Sequence, residues 1–203
     1  MALRYLSAGS NMFRDPADFP FVGALQSRWR FLRQEFLELN APLLDLHRIG
    51  ALEFQVERMM REMGWTASWQ VDSAEPNQDW LTFGLSYKGM LPDGAESALP
   101  ATARLLSRLR GCEVSAFSLL RPGGFVRPHN HPEMDGRLLT LHLGLEVAPR
   151  CSYLCGGGMS REERAGDVLI FDGSVEHFAI NMGDTDRTIL YLEFNPREVR
   201  YEE

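Results

Sequence analysis

The chain has 203 residues, of which 44% are hydrophobic and 24% charged, a composition typical of a globular protein with a buried core. Its formal net charge of −7 disfavours nucleic-acid binding through phosphate neutralisation, which needs clustered lysines and arginines. No apolar run approaches the roughly 20 residues that a membrane-spanning helix requires. The first residues lack the long apolar core of a secretory signal, so we expect a cytoplasmic protein with no membrane span.

The first part of the chain carries helical patterns. Apolar residues recur at helical spacing from Val22 to Leu39, and a second helix is expected from Leu52 to Met63. Residues 80–90 then carry the aromatic and branched side chains typical of a strand. Pro100 suits the first position of a further short helix, which we expect to be closed by Gly111.

Beyond residue 111 the sequence becomes rich in short strands separated by Gly, Pro, Asp or Asn. The strand-like runs are VSAFSLL, LLTLHLGLEV, CSYLC, DVLIF, HFAIN and TILYLEF. Many short strands divided by turn residues favour an antiparallel barrel or jelly roll. We therefore predict one domain over residues 1–203, mainly β with helices. Residues 1–110 would form a mostly helical support region, and residues 111–198 a double-stranded β-helix (jelly-roll) core.

Four of the five histidines lie between residues 129 and 177, and three of them form a pattern. His129 and His131 stand in RPHNHPEMD, and His177 follows in FDGSVEHFAIN. In a jelly roll, an H-x-H at the end of one strand and a later histidine converge inside the barrel. Imidazoles on one side of a metal leave open coordination positions, as in non-haem Fe(II) oxygenases. The pattern predicts a metal site built on His129 and His177.

The flanking residues resemble the two sequence motifs of the cupins, a family of small β-barrels. The first motif is matched by Gly123, His129, His131 and Asp135, with Asp where Glu is usual. The second is matched in spacing by Gly166, His177 and Asn181. This resemblance favours the barrel fold and leaves the reaction open, because one fold hosts many reactions.

A more specific resemblance runs from about Pro100 to Pro196. Here the chain resembles the aspartyl/asparaginyl β-hydroxylase family of Fe(II)- and 2-oxoglutarate-dependent oxygenases. The matching stretches are FSLLRPGGFVRPH (117–129), LHLGL (141–145), GDVLIFDGSVEH (166–177) and DRTILYLEFNP (186–196). The resemblance implies a hydroxylase that consumes O2 and 2-oxoglutarate.

The resemblance also implies roles for individual residues. His129 and His177 would bind Fe(II), and His142 would lie beside the cosubstrate 2-oxoglutarate. Ser118 and Arg187 would hold the far carboxylate of this cosubstrate.

The place of Arg187 in the sequence supports the last assignment independently. Arg187 opens an otherwise apolar strand, and a buried guanidinium needs a partner such as a carboxylate bound bidentately. The alternative is a surface arginine that pairs with Asp184 or Asp186. We favour the cosubstrate, because Arg187 follows a predicted metal-binding histidine by ten residues.

The sequence departs from the family two residues before the histidine of LHLGL. Family members often carry an arginine there, and this chain has Thr140. Arg127 or Arg137 would be the replacement. Together with Asp135, these two arginines are our candidates for binding the substrate.

The third iron ligand is left open by the sequence. The usual oxygenase pattern places a carboxylate two residues after the first histidine, and here that position is His131. His131, Asp135 or water would complete the site. We favour His131, because H-x-H places both side chains on one face of a strand.

These patterns lead to a functional prediction with two alternatives. The prediction is a dioxygenase that hydroxylates an amino-acid substrate, free, carrier-bound or peptidyl, at the β-carbon if it follows the family name. The first alternative is a cupin metalloenzyme with a three-histidine iron site and no need for 2-oxoglutarate. The second is a non-catalytic, cupin-like binding module. The combination of Arg187 with Ser118 distinguishes the prediction from the first alternative.

Overall fold

The structure, a computed structural model, describes residues 12–45, 52–69, 73 and 75–202. Residues 1–11, at the start of the predicted single domain, lie outside the described residues. The helices are α1 (Phe21–Glu38), α2 (Leu52–Glu62), α3 (Ala95–Ala98) and α4 (Pro100–Ser107). None of the helices in the described ranges is long and apolar enough to cross a membrane.

The strands account for most of the remaining chain. They are β1 (Phe13–Arg14), β2 (Trp65–Ser68), β3 (Asn77–Tyr87), β4 (Leu109–Arg110), β5 (Cys112–Leu120), β6 (Phe125–His129), β7 (Leu139–Glu146), β8 (Ser152–Gly156), β9 (Met159–Glu162), β10 (Val168–Phe171), β11 (His177–Asn181), β12 (Arg187–Phe194) and β13 (Arg200–Tyr201). A seven-stranded sheet has the order β1-β10-β7-β12-β5-β3-β2, and a four-stranded sheet has the order β6-β11-β8-β9. All of these neighbours pair antiparallel, so the predicted jelly roll is confirmed.

The two faces of the large sheet have different surroundings. Because side chains alternate along a strand, β7 directs Leu141 and Leu143 to one face and His142 to the other. The leucine face packs against α1, where Leu25 and Leu32 are fully buried. Each such buried leucine contributes on the order of 1.5–3 kcal/mol. The outer core therefore anchors the helix to the sheet.

The opposite face of the large sheet looks into the barrel. Leu120 and Phe171 from the large sheet pack there against Val126, Leu154 and Ala179 from the small sheet. This inner core is smaller than the outer one and shares its space with polar side chains.

Three of the predicted elements can be compared with the structure directly. The first two helices begin and end within about one residue of the prediction, as is usual for helix ends. The prediction that the third helix continues to Gly111 is wrong, since α4 ends at Ser107 and β4 pairs with β13. Gly111 has φ 73°, and a Cβ there would lie 2.7 Å from the Val199 nitrogen. Gly111 therefore forms the turn between β4 and β5, where its positive φ and the close approach of Val199 favour glycine.

The N-terminal region contributes strands as well as helices. The strand predicted over residues 80–90 is confirmed as far as Tyr87, where β3 ends, and β3 pairs with β5 inside the large sheet. Strand β2 extends the same sheet. The division of the chain at residue 110 stays a prediction. The hydrogen bonds of the large sheet join strands from both sides of that residue.

Candidate functional site

Three histidines meet where the small sheet ends beside the inner core. Strand β6 ends at His129 and β11 begins at His177, and the register of these neighbouring strands places the two residues opposite each other. His131 lies just beyond β6, where its backbone N–H donates to the Gly173 carbonyl at 2.9 Å. One ring nitrogen from each histidine lies within 4.8 Å of the others. The histidines predicted from the sequence are thus brought together.

Backbone carbonyls hold two of these rings. Nδ1 of His129 lies 2.8 Å from the Arg127 carbonyl oxygen, and Nδ1 of His177 lies 2.8 Å from the Val175 carbonyl oxygen. Because a carbonyl only accepts, both Nδ1 atoms must donate. Each Nε2 then carries the lone pair, the tautomer in which imidazole binds a metal ion.

Burial keeps the same two rings neutral. Burial, with a smaller effect of the neighbouring histidines, lowers the pKa of His129 and lowers that of His177 to about 3. His131 is more exposed, and its Nδ1 lies 3.3 Å from a carboxylate oxygen of Glu133. Three imidazoles close together suit a divalent transition metal such as Fe(II) and leave coordination positions open. The residues present therefore fit an iron ion.

The candidates for binding the substrate lie outside this group. Arg127, Asp135 and Arg137 are exposed, and Asp135 is not a member of the metal-binding group found among the described residues. Arg137 donates to the Glu113 carboxylate at 2.8 and 3.1 Å. These side chains lie at the surface around the histidines.

A second charged group lies deeper in the barrel and centres on Arg187. Its guanidinium is 2% exposed and donates through Nε to Oε2 of Glu163 at 2.7 Å and through Nη2 to Oε1. The alternative of a surface arginine paired with Asp184 or Asp186 is therefore wrong. The buried partner that the sequence required exists within the chain, and it is Glu163.

His142 belongs to the same buried cluster. Its Nδ1 lies 2.8 Å from Oε1 of Glu163, and the Ser152 hydroxyl donates to Oε2 at 2.8 Å. Burial alone would raise the pKa of Glu163, but Arg187 and His142 hold it well below its usual range. The ionised carboxylate accepts a hydrogen bond from Nδ1 of His142, which leaves Nε2 without a proton, and burial lowers the pKa of this ring. The cluster of Arg187, Glu163 and His142 therefore carries no net charge.

The sequence analysis missed Glu163, which lies directly after β9. A close backbone approach positions it: a Cβ on Gly144 would lie 2.1 Å from the Arg164 carbonyl oxygen. Because glycine has no Cβ, Gly144 in β7 lets the segment that carries Glu163 pass so near the sheet. The run EERAG holds two adjacent glutamates, and nothing in the sequence separates the buried one from exposed neighbours.

Ser118 lies on the same inner face. It is 7% exposed and accepts a hydrogen bond from the Trp80 indole at 3.0 Å. Strand pairing places Ser118 opposite Ile189 and Leu120 opposite Arg187, so Ser118 and Arg187 are diagonal neighbours. The family resemblance implied that Ser118 and Arg187 lie close together. The contact between Ser118 and Trp80 is an addition from the structure.

Phe171 connects the histidine group with the deeper cluster. The centre of its ring lies 5.1 Å from that of His177 and 4.9 Å from that of His142. The predicted iron site, with His129 and His177 on the small sheet, and the predicted cosubstrate site on the large sheet are therefore both adjacent to Phe171 in the barrel interior.

Two further interior residues had also escaped the sequence analysis. The Tyr191 hydroxyl donates to Glu193 at 2.7 Å, and burial raises the pKa of both groups. Thr140, at the position of the family arginine, pairs with Glu193 across the strands. The alternation Arg-x-Ile-x-Tyr-x-Glu in β12 was the signal that places these residues on one face.

Comparisons with known proteins identify the family of this chain. The family model for aspartyl/asparaginyl β-hydroxylase matches residues 26–196. The ornithine lipid ester-linked acyl 2-hydroxylase of Rhizobium tropici is 26% identical over 195 residues, which are 95% of this chain and 63% of that protein. The aspartyl/asparaginyl β-hydroxylase of Mus musculus is 29% identical over 162 residues, 77% of this chain and 19% of that protein. The chain thus spans less than two thirds of either relative.

Among solved structures, a cupin domain of a transcriptional regulator from Enterobacter cloacae covers 59% of this chain and 100% of that domain, with 14% identity and a TM-score of 0.40. A likeness of that size carries no functional argument. The family match is different, because residues 26–196 hold most of the chain, all three clustered histidines and the buried cluster. By that match, the chain belongs to the aspartyl/asparaginyl β-hydroxylase family.

Proposed function

We propose that the protein is an Fe(II)- and 2-oxoglutarate-dependent dioxygenase that hydroxylates an unactivated carbon of an amino-acid substrate. The observation that carries this proposal is the group of three histidines in a member of a hydroxylase family. Two of the rings have their Nδ1 atoms held by backbone carbonyls, so that Nε2 is free for a metal. The hydroxylated position would be the β-carbon if this member follows the family name.

Each residue then has a defined task. His129, His131 and His177 would hold the iron, which together with O2 and 2-oxoglutarate supplies hydroxylating power and releases succinate and CO2. Arg187 and Ser118 would hold the far carboxylate of the cosubstrate. The apolar ring of Phe171 lies between the iron ligands and this carboxylate pocket, where it limits the entry of water.

The substrate would enter from the exposed side of the histidine group. Tyr191 and Glu193 line the interior near His131, and Arg127 and Arg137 lie on the surface around it. One relative is named for hydroxylation of aspartyl and asparaginyl groups and the other for hydroxylation of the ester-linked acyl group of an ornithine lipid, so the names support amino-acid and lipid substrates. A substrate attached to a carrier would reach the same opening.

The proposal can be tested by a substrate screen. The protein is loaded with Fe(II) under nitrogen, supplied with O2 and 2-oxoglutarate, and offered free amino acids, peptides and amino-acid lipids. Succinate release above the substrate-free rate, with one oxygen atom added to the substrate by mass spectrometry, is the expected result. His177→Ala serves as the inactive control. Product formation at the full rate in this variant would refute the proposal.

One observation favours a second candidate function, an iron enzyme with three histidine ligands and no 2-oxoglutarate. Arg187 already has a carboxylate partner in Glu163, and the family arginine is replaced by Thr140. The same screen separates the two candidates. Oxygen uptake and oxidised product when 2-oxoglutarate is omitted would support the second candidate, while a strict requirement for 2-oxoglutarate would exclude it.

A further inference from the structure

The buried carboxylate of Glu163 occupies the side of Arg187 where a ligand carboxylate would otherwise bind. It contacts Nε and Nη2, so the remaining nitrogen, Nη1, is directed away from Glu163. An incoming carboxylate would find a donor at Nη1, but it would meet a cluster whose positive charge is already neutralised. An additional negative charge without a positive partner is costly at such depth, because burial strongly disfavours net charge.

The same cluster contains a group that can restore the balance. Because Nδ1 of His142 donates to Glu163, Nε2 is the ring nitrogen free to accept a proton. The charged and titratable groups that face this ring are Glu163 from the segment after β9 and Arg187 and Tyr191 from β12. His177 lies farther away, behind Phe171. An added carboxylate beside His142 favours its protonated form.

We propose that Glu163 couples cosubstrate binding to proton uptake, so that the far carboxylate of 2-oxoglutarate enters together with one proton on His142 Nε2. This inference rests on the proposed function. It assigns Glu163 as a positioning residue of the cosubstrate pocket. It holds Arg187 and His142 by hydrogen bonds and makes the empty pocket electrically neutral. The net charge of the pocket is the same before and after binding, because one negative charge and one proton enter together.

The cluster also provides a candidate replacement for the positive charge of the arginine that family members often carry. Thr140 supplies no positive charge at that position. A protonated His142 provides one only when the ligand brings its carboxylate. The positive charge is therefore conditional on the ligand, whereas an arginine would keep it permanently.

The test measures 2-oxoglutarate binding by isothermal titration calorimetry to protein loaded with Mn(II), which keeps the complex from turning over. Titrations in two buffers of different ionisation enthalpy give the number of protons taken up. We expect about one proton and an affinity that falls roughly tenfold for each pH unit above neutrality. A matched ligand, 2-oxopentanoate, has the same chain length without the far carboxylate. It should bind without proton uptake.

Glu163→Gln removes the built-in charge and keeps an oxygen acceptor for Arg187. This variant should bind 2-oxoglutarate at least about tenfold more tightly at pH 8, with proton uptake near zero. Glu162→Gln is the control, because Glu162 is the adjacent glutamate and pairs instead with Arg164. It should behave like the unmodified protein.

The outcomes separate this inference from the proposed function. Binding without proton uptake in the unmodified protein would overturn the inference, and this result does not depend on the folding of any variant. Weaker binding in Glu163→Gln, or unchanged proton uptake, would also overturn it. If 2-oxoglutarate binds to none of these proteins while Mn(II) remains bound, the proposed cosubstrate itself is refuted.

Discussion

Two histidine environments in the same barrel differ in what holds Nδ1. In His129 and His177 a backbone carbonyl accepts the Nδ1 proton, whereas in His142 the acceptor is the buried carboxylate of Glu163. A carbonyl is neutral and fixes a ring in its metal-binding form without favouring a positive charge. A carboxylate favours protonation of the ring it holds. One residue type thus forms a group that could hold a metal in one place and belongs to a charge cluster on the other side of Phe171.

The comparison shows why proximity of histidines alone does not define a metal site. Phe171 touches both His177 and His142, yet only the histidines at residues 129, 131 and 177 form the group that could hold a metal among the described residues. The Nδ1 partner distinguishes His129 and His177 from His142. His131, whose Nδ1 faces a carboxylate oxygen of Glu133, belongs to the group through the position of its ring. The following predictions test each side of this difference.

The largest effect is expected from removing a histidine held by a carbonyl. His177→Ala or His129→Ala should remove most bound Fe(II) and nearly all turnover, because the ring that supplies a ligand nitrogen is lost. Iron content by metal analysis and succinate release measure the two effects. Asn130→Ala changes an exposed neighbour and serves as the control. An iron content equal to that of the unmodified protein would contradict the assignment.

The next effect concerns the charge cluster. Arg187→Ala should weaken 2-oxoglutarate binding and leave iron in place, because we propose that the guanidinium binds the cosubstrate and not the metal. Loss of one partner from a buried charge pair costs roughly 2–5 kcal/mol, which is about 30-fold to several thousand-fold in affinity. Calorimetry with Mn(II)-loaded protein measures the change.

Arg164→Ala is the matched control for this prediction, since Arg164 is an exposed arginine that pairs with Glu162. An unchanged dissociation constant in Arg187→Ala would exclude Arg187 from the cosubstrate site. It would also favour the enzyme without 2-oxoglutarate.

A smaller effect is expected at the third candidate ligand. His131→Ala should lower iron affinity by at least the roughly 10–100-fold that loss of an outer-shell partner costs. Asp135→Ala should change it little, because that carboxylate is exposed and outside the histidine group. Competition with a metal chelator measures both affinities. Unchanged iron affinity with reduced turnover in His131→Ala would assign His131 to the substrate pocket.

The smallest effect is a pH dependence of stability in the metal-free protein. The pKa of His177 in the folded state is about 3, below the value near 6.5 in the unfolded chain. As pH falls below about 6.5, the unfolded state therefore binds a proton that the folded state does not. Stability is complete above this pH and decreases by at most about 1.4 kcal/mol per pH unit for this residue.

Urea unfolding of the metal-free protein between pH 7 and pH 5 measures this slope. The range lies above the unfolded pKa of glutamate, roughly 4.3, so Glu163 does not contribute to it. His177→Gln should show a smaller slope, because one buried titrating ring is gone. Equal slopes in the two proteins would show that His177 is not buried in its neutral form.

The sequence by itself determined the parts of this protein that depend on local patterns. Apolar spacing gave α1 and α2, and turn residues divided the strands of the jelly roll. The H-x-H motif and the later histidine indicated a metal site, since a strand end fixes where its side chains point. The apolar run after Arg187 indicated a buried guanidinium that needs a partner.

Only the tertiary structure decided which partner Arg187 has. Glu163 lies 24 residues away in sequence, and it reaches the guanidinium because β7 is the neighbour of β12 and Gly144 lets the segment after β9 pass close to the sheet. The same tertiary packing determines which hydrogen-bond acceptor lies beside Nδ1 of each histidine. Strand order and close backbone approach are properties of the whole barrel, so the charge of this pocket is a consequence of tertiary packing that no local pattern encodes.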